Sequence, residues 1–512
     1  MKDVAIRSKN LGIAAFFAYL LIFLNTISGF LIGPFLIGKI GDGVYGVYTT
    51  VFSVASALTM ADVGVTQTLI RYIAKYKSEK RSEEEVARLC KTVRAINYII
   101  IIVTLLASLG IFFVLPYVYS NKFSDEEVTI AKNLFLIFSC SITITIFSNF
   151  YNGVICGNGY FVFINVTKSI SVVLRIALIF ALVFIRQSVY IVALVDLLIS
   201  VATAVANVIF QKTNIKLVKA KGWLGKLLIK ELLIFTGLVF LQSLIDQVNN
   251  NLGNILIGAF VGSVAVSIYS FGLTLFHMFQ NLSTSISQML VPHMSQKIAD
   301  NATSSELEDD LTNIGKIQFT IIGAVIFGFA TLGQMFINLW LGPKYSDVWI
   351  ITMILMCGGV LPLIQNGAIA ILKAKNLMMF RTIALLIMAV FNAALIFIFV
   401  NYLGYVYAAL GTSIGFILVN TLLMDIYYYR KLNLNLFKVL GLILIRLVPC
   451  NLVPAIIVFF LKPLFADSYI WLLCLILIYC VIYFVCLIVF GYTKSEKIAI
   501  KDRFLKRRKN SD

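Results

Sequence analysis

Long apolar runs, most of about twenty residues or more, recur from residue 11 to residue 491 with short polar stretches between them. An α-helix of that length rises about 30 Å, the thickness of the hydrocarbon core of a bilayer. A β-barrel would instead alternate apolar and polar positions over segments of about ten residues, and these runs are continuous. The pattern predicts an all-α polytopic membrane protein with fourteen spans: 11–33, 44–70, 95–117, 131–154, 162–185, 188–210, 231–256, 262–290, 317–341, 348–371, 380–401, 404–427, 437–461 and 468–491.

Composition agrees with the pattern. Hydrophobic residues make up 60% of the 512-residue chain and charged residues 13%, whereas a soluble globule carries about a quarter charged residues. The formal net charge of +18 points first to nucleic acid, but its distribution points to topology. With the N-terminus inside, segments on the inner side hold 34 of the 42 Lys and Arg and the outer loops hold six. That asymmetry predicts both termini in the cytoplasm and no nucleic-acid partner. The basic tail 492–512 is expected to be cytoplasmic as part of that orientation signal, with contact to anionic lipid as the alternative. The first run is too long for a signal-peptide core and reads as a retained span. The longest polar stretches, 71–94, 211–230 and 291–316, leave no room for a soluble domain. No Walker A sequence, C-x-x-C pair or His/Cys cluster is present, so neither a nucleotide, a metal nor another cofactor is implied.

Two stretches repeat. FLIGKIGDGVYGVY (35–48) and ILIGAFVGSVAVSIY (255–269) place Gly38 against Gly258, 220 residues apart, and Tyr48 against Tyr269, 221 apart. KFSD (122–125) and KYSD (344–347) match at an offset of 222, and Asn158 and Asn376 at 218. All three pairs fall at equivalent points of the topology. The expected organisation is a six-helix lobe over 1–215, a second over 216–430, two appended spans over 431–491 and the tail. Six is even, so the halves enter the membrane from the same side, the parallel repeat with which transporters build a cavity between lobes.

Polar groups inside spans need a partner or water. The seventh span, KELLIFTGLVFLQSLIDQVNNNLGNILIG, places Gln242, Asp246, Asn249, Asn250 and Gly253 on one helical face. Such a stripe either glues helices together or lines a hydrophilic cavity, and five positions exceed what helix pairing needs. Asp246 is also a candidate for binding a coupling cation. Arg175 lies in the middle of the fifth span, either as an anion site or as the partner of Asp196 in the sixth. Arg71 sits at the mouth of the second span, as interfacial anchor or substrate contact, and Asn25 in the first span joins the cavity candidates. Arg446 is near enough to a membrane face to snorkel. His277 reads as a satisfied buried histidine, with a proton relay as the alternative.

The segment LIGKIGDGVYGVYTTVFSVASALTMADVGVTQTLIRYIAKY resembles the opening signature of bacterial polysaccharide flippases, with a Gly-x-x-x-Tyr-Gly turn opening the second span and Arg-Tyr-x-Ala closing it. GAFVGSVAVSIYS and LWLGPKYSDVWIITMIL resemble the matching parts of the second half. These are the Wzx-type members of the multidrug/oligosaccharidyl-lipid/polysaccharide exporter superfamily, and the likeness runs over essentially the whole chain. It implies a non-enzymatic, alternating-access flippase in the bacterial cell membrane. The implied substrate is oligosaccharide linked to polyprenyl diphosphate, moved from inner to outer leaflet for capsule or exopolysaccharide. The implied partners are membrane lipid, other polysaccharide-assembly proteins and a Na+ or H+ gradient. Relatives often carry an Asp about five residues before the Gly that ends the seventh span; here that position is Gly253, and Asp246 lies two turns earlier on the same face.

Two transporter readings compete with this one. A multidrug or cation exporter is expected to offer acidic and aromatic groups rather than Arg175 among amides, and a peptidoglycan-precursor flippase shares the architecture. A membrane polymerase or ligase would need a larger outer loop bearing catalytic groups than this chain has.

Overall fold

The computed structural model describes residues 2–491 apart from 216, 217, 219, 221, 301 and 376; the tail 492–512 lies outside the described residues. Those residues form seventeen α-helices joined by short turns, with no strand among them. Twelve helices are long and apolar enough to cross a bilayer, or thirteen if one bent pair counts as a span. The chain is therefore a multi-pass membrane protein.

The count differs from fourteen for a physical reason. The eighth expected span lies within α9 (Ser263–Ala299), which is 37 residues long. It carries Thr274, His277, Gln280, Asn281, Ser283 and Thr284, which dilute its apolar content. The bent pair is the second expected span, made of α2 (Asp42–Leu58) and α3 (Val63–Ser78), which meet at 41° across a 3-10 turn at Thr59–Asp62. No proline causes this break. Ser56 and Thr59 return their hydroxyls to the carbonyls of Ser53 and Ser56 at 2.9 and 2.7 Å, the side-chain competition that loosens a helix.

The chain divides into two compact units, Met1–Ser270 and Phe271–Asp512. In the first, α5 (Asp125–Gly157) packs against α2, α3, α4 (Glu83–Tyr119) and α7 (Val189–Asn214), while α1 (Lys2–Ile40) packs against α6 (Phe161–Ile185). Val65, Leu69 and Ile73 of α3, Leu89 and Val93 of α4, and Phe150 and Val154 of α5 form one buried cluster. Capping boxes start α4 at Ser82 and α5 at Ser124, satisfying donors that would otherwise be orphaned. The seventh expected span is α8 (Lys226–Phe260), which packs along α2 and α3 within this unit.

In the second unit α10 (Ser304–Trp340) packs against α11 (Asp347–Ile364) and against the last two spans, α16 (Leu436–Leu461) and α17 (Tyr469–Cys486). Tyr483 donates its hydroxyl to the Thr320 carbonyl at 2.6 Å, fastening α17 to α10. Helix α11 ends after Pro362, and α12 (Asn366–Ala374) continues beyond a break at Gln365. Helix α13 (Met378–Tyr402) precedes a span that starts as α14 (Ala408–Gly415), widens into a π-helix over Phe416–Leu423 and ends as α15 (Met424–Leu432).

Candidate functional site

Polar and small residues line α8 in two adjoining strips. One strip is spent on the first unit. Tyr72 donates to Glu231 Oε1 at 2.7 Å, the hydroxyls of Thr68 and Thr236 lie 2.8 Å apart, Gln247 Nε2 donates to Ser56 Oγ at 2.7 Å, and Asn254 Nδ2 donates to Ser53 Oγ at 3.1 Å. As the number rises along α8 it falls along α3 and α2, so the helices run antiparallel as a hydrogen-bonded ladder. Small residues allow that approach. A Cβ on Gly64 would stand 2.4 Å from the Thr236 carbonyl oxygen. At the start of α9, a Cβ on Gly46 would stand 1.8 Å from the Ser263 oxygen.

The second strip holds Gln242, Asp246, Asn249 and Asn250. Asp246 is exposed, and the three amides are half-buried. An exposed carboxylate within a span cannot face hydrocarbon without a cost of several kcal/mol, so this strip is suited to a water-filled cavity. Gly253, the fifth member of the stripe, has a different task. It admits the Tyr269 ring, whose Cε1 would lie 2.3 Å from a Cβ there.

Arg175 on α6 and Asp196 on α7 form a two-pronged pair. Nε lies 2.5 Å from Oδ1 and Nη2 lies 3.2 Å from Oδ2. The Arg175 side chain is 26% exposed and that of Asp196 15%. Nη2 also donates to the Tyr48 hydroxyl at 3.3 Å, tying the repeat's tyrosine on α2 to the charge pair. Around the pair, Ser141 and Ser200 approach at 2.8 Å and Ser171 and Thr203 at 3.1 Å, a polar seam between α5, α6 and α7.

The other sequence-selected residues stand apart. Arg71 is exposed on α3, its guanidinium 4.6 Å from the centre of the Phe235 ring on α8, the distance of a cation–π contact. Asn25 is exposed on α1 and donates its amide to the Leu21 carbonyl at 2.9 Å. His277, in the second unit, has Nδ1 3.4 Å from Gln280 Oε1. Sequence reasoning passed over Tyr48, Gln247 and Asn254. The last two adjoin the selected stripe, and Ser53 and Ser56, three apart on α2, were the available signal for them. Nothing local marks Tyr48 as the partner of a residue 127 positions away. No group of three or more His, Cys, Asp or Glu side chains able to hold a metal occurs among the described residues.

The sequence profile of the polysaccharide biosynthesis protein family matches residues 14–298. No protein of curated function matches the chain in sequence. Among solved structures, the chain is similar to the lipid II flippase MurJ in an inward closed conformation. The TM-score is 0.73 at 16% identity, covering 92% of this chain and 97% of that one. It is also similar to an inward-facing MATE-family multidrug resistance transporter of the MOP superfamily, with a TM-score of 0.62 at 15% identity, covering 81% and 95%. A MATE transporter in complex with MaL6 gives 0.58 at 15%, covering 85% and 97%. At such identities the likeness speaks for the fold.

Proposed function

The chain belongs to the polysaccharide biosynthesis protein family, and from that premise we propose that this flippase-type transporter carries oligosaccharide linked to polyprenyl diphosphate from the inner to the outer leaflet, for surface polysaccharide. The observation that carries the reading is the outer strip of α8. Gln242 and Asn250 offer amide donors and acceptors on a face shared with the exposed Asp246 and with Asn249, whose Oδ1 is buried. A sugar head group has many hydroxyls and needs such a wall to leave water.

Asp246 is the carboxylate best placed on this wall to bind a coupling ion, Na+ or H+. Arg71 is an exposed cation of the first unit that suits diphosphate. Arg175 is a weaker candidate for that role, because a phosphate would have to displace Asp196 from both its nitrogens. Its pairing supports a role in holding Tyr48, α6 and α7 together.

Deleting the gene is expected to leave lipid-linked glycan intermediates on the cytoplasmic leaflet and to strip the cell surface of the polymer. Restoring the chain should return both. Normal surface glycan in the deletion strain, without a compensating transporter, would overturn the proposal.

A further inference from the structure

Asp425 is fully buried in the second unit, on the first turn of α15, where the π-helix Phe416–Leu423 returns to α-helix. Its Oδ2 accepts from Gln365 Nε2 at 2.9 Å. Its Oδ1 is equally buried and meets no donor. Gln365 stands at the break between α11 and α12, so irregularities in two neighbouring spans meet across one carboxyl–amide contact. Irregular helix geometry of this kind is frequent at functional sites.

Among the described residues no Lys, Arg or His side chain forms an ion pair with Asp425. Its Oδ2 meets the Gln365 amide nitrogen and its Oδ1 meets no hydrogen-bond donor among the described residues. Tyr428, three residues further along α15, is its titratable neighbour, and Arg381 of α13 acts on that phenol. A carboxylate with one neutral donor, removed from water, takes up a proton instead of staying ionised. A metal cation would require a shell of several oxygens, whereas Gln365 presents an N–H.

We propose that Asp425 is a proton-binding site of the second unit. In this conformation it holds its proton on the carboxyl group. It releases that proton to water, leaving a hydrated carboxylate, only when the Gln365 break and the π-helical stretch part far enough to admit solvent. Rising pH then favours the hydrated form of this end of the unit. The inference is independent of the substrate reading, since it concerns one carboxyl group and its amide partner.

Infrared difference spectroscopy on the full-length protein in lipid nanodiscs, stepped through pH, tests it. The expected result is a protonated-carboxyl C=O band at neutral pH that shifts in D2O, is missing from Asp425→Asn and persists in Asp246→Asn. Gln365→Leu should move its frequency without removing it. A band unchanged in Asp425→Asn, or no protonated-carboxyl band at neutral pH, overturns the proposal. If Asp425→Asn does not yield monodisperse protein, a band that stays fixed in Gln365→Leu overturns it as well. Failure of the flippase reading would leave this spectrum as it is, so the two outcomes are separable.

Discussion

Arg175 shows what a charge inside a membrane protein demands of its neighbours. Its guanidinium engages both oxygens of Asp196 and, through Nη2, the Tyr48 hydroxyl. Breaking such a pair from one side costs more than removing it, because the remaining charge is stranded. Asp196→Asn is therefore expected to destabilise the protein by about 3–5 kcal/mol, while the double variant Arg175→Met/Asp196→Leu loses much less. Tyr48→Phe removes one hydrogen bond to a charged group, worth about 1.5–3 kcal/mol. Thermal melts of the purified variants check this order, and a double variant as unstable as Asp196→Asn would contradict it. Much of this was legible in the chain: Arg175 and Asp196 stood out because charges are rare in spans. Tyr48 did not, because a tyrosine at a span end has an ordinary interfacial explanation and its partner is chosen by packing.

At the scale of elements, the decisive contact is the antiparallel ladder between α8 and the broken pair α2–α3. Glycines set its closeness, so they supply its test. Gly64→Ala places a Cβ 2.4 Å from the backbone oxygen of Thr236 on α8, and Gly46→Ala places one 1.8 Å from that of Ser263 at the adjoining start of α9, and backbone cannot yield as a side-chain tip can. Each is expected to cost about 1–3 kcal/mol or more through overpacking, read as a lower melting temperature and poorer recovery of monodisperse protein. Gly110→Ala on α4 meets nothing within 4 Å and should be neutral or slightly stabilising, by up to about 1 kcal/mol. Equal behaviour of the three variants would refute the packing account.

Span positions were readable from hydropathy because burying apolar surface and crossing lipid follow one rule. The break at 59–62 and the π-helix at 416–423 were not. Ser and Thr in spans also occur in straight helices, so their presence alone does not mark a break. The stripe on α8 was readable from its spacing. Its division into a packed strip with Gln247 and Asn254 and an exposed strip with Asp246 depended on where α2 lies.

For the whole molecule, the sequence repeat and the packing draw different boundaries. The repeat divides the chain at 215 and 430, a division into lobes that we retain as a proposal. Packing bounds the first unit at Ser270 and includes α8. The first half's opening motif and the second half's counterpart meet there, Gly46 against Ser263 and Thr50 against Gly258.

The most direct test is flipping by the purified protein. Liposomes bearing a fluorescent polyprenyl-diphosphate oligosaccharide on both leaflets would be challenged with a membrane-impermeant glycosidase under an imposed Na+ or H+ gradient. The account predicts that the wild-type chain exposes the protected inner pool well above the rate in protein-free vesicles, while Asp246→Leu/Asn249→Leu, inserted and folded, stays at background. A wild-type rate equal to that of protein-free vesicles under both gradients would contradict it.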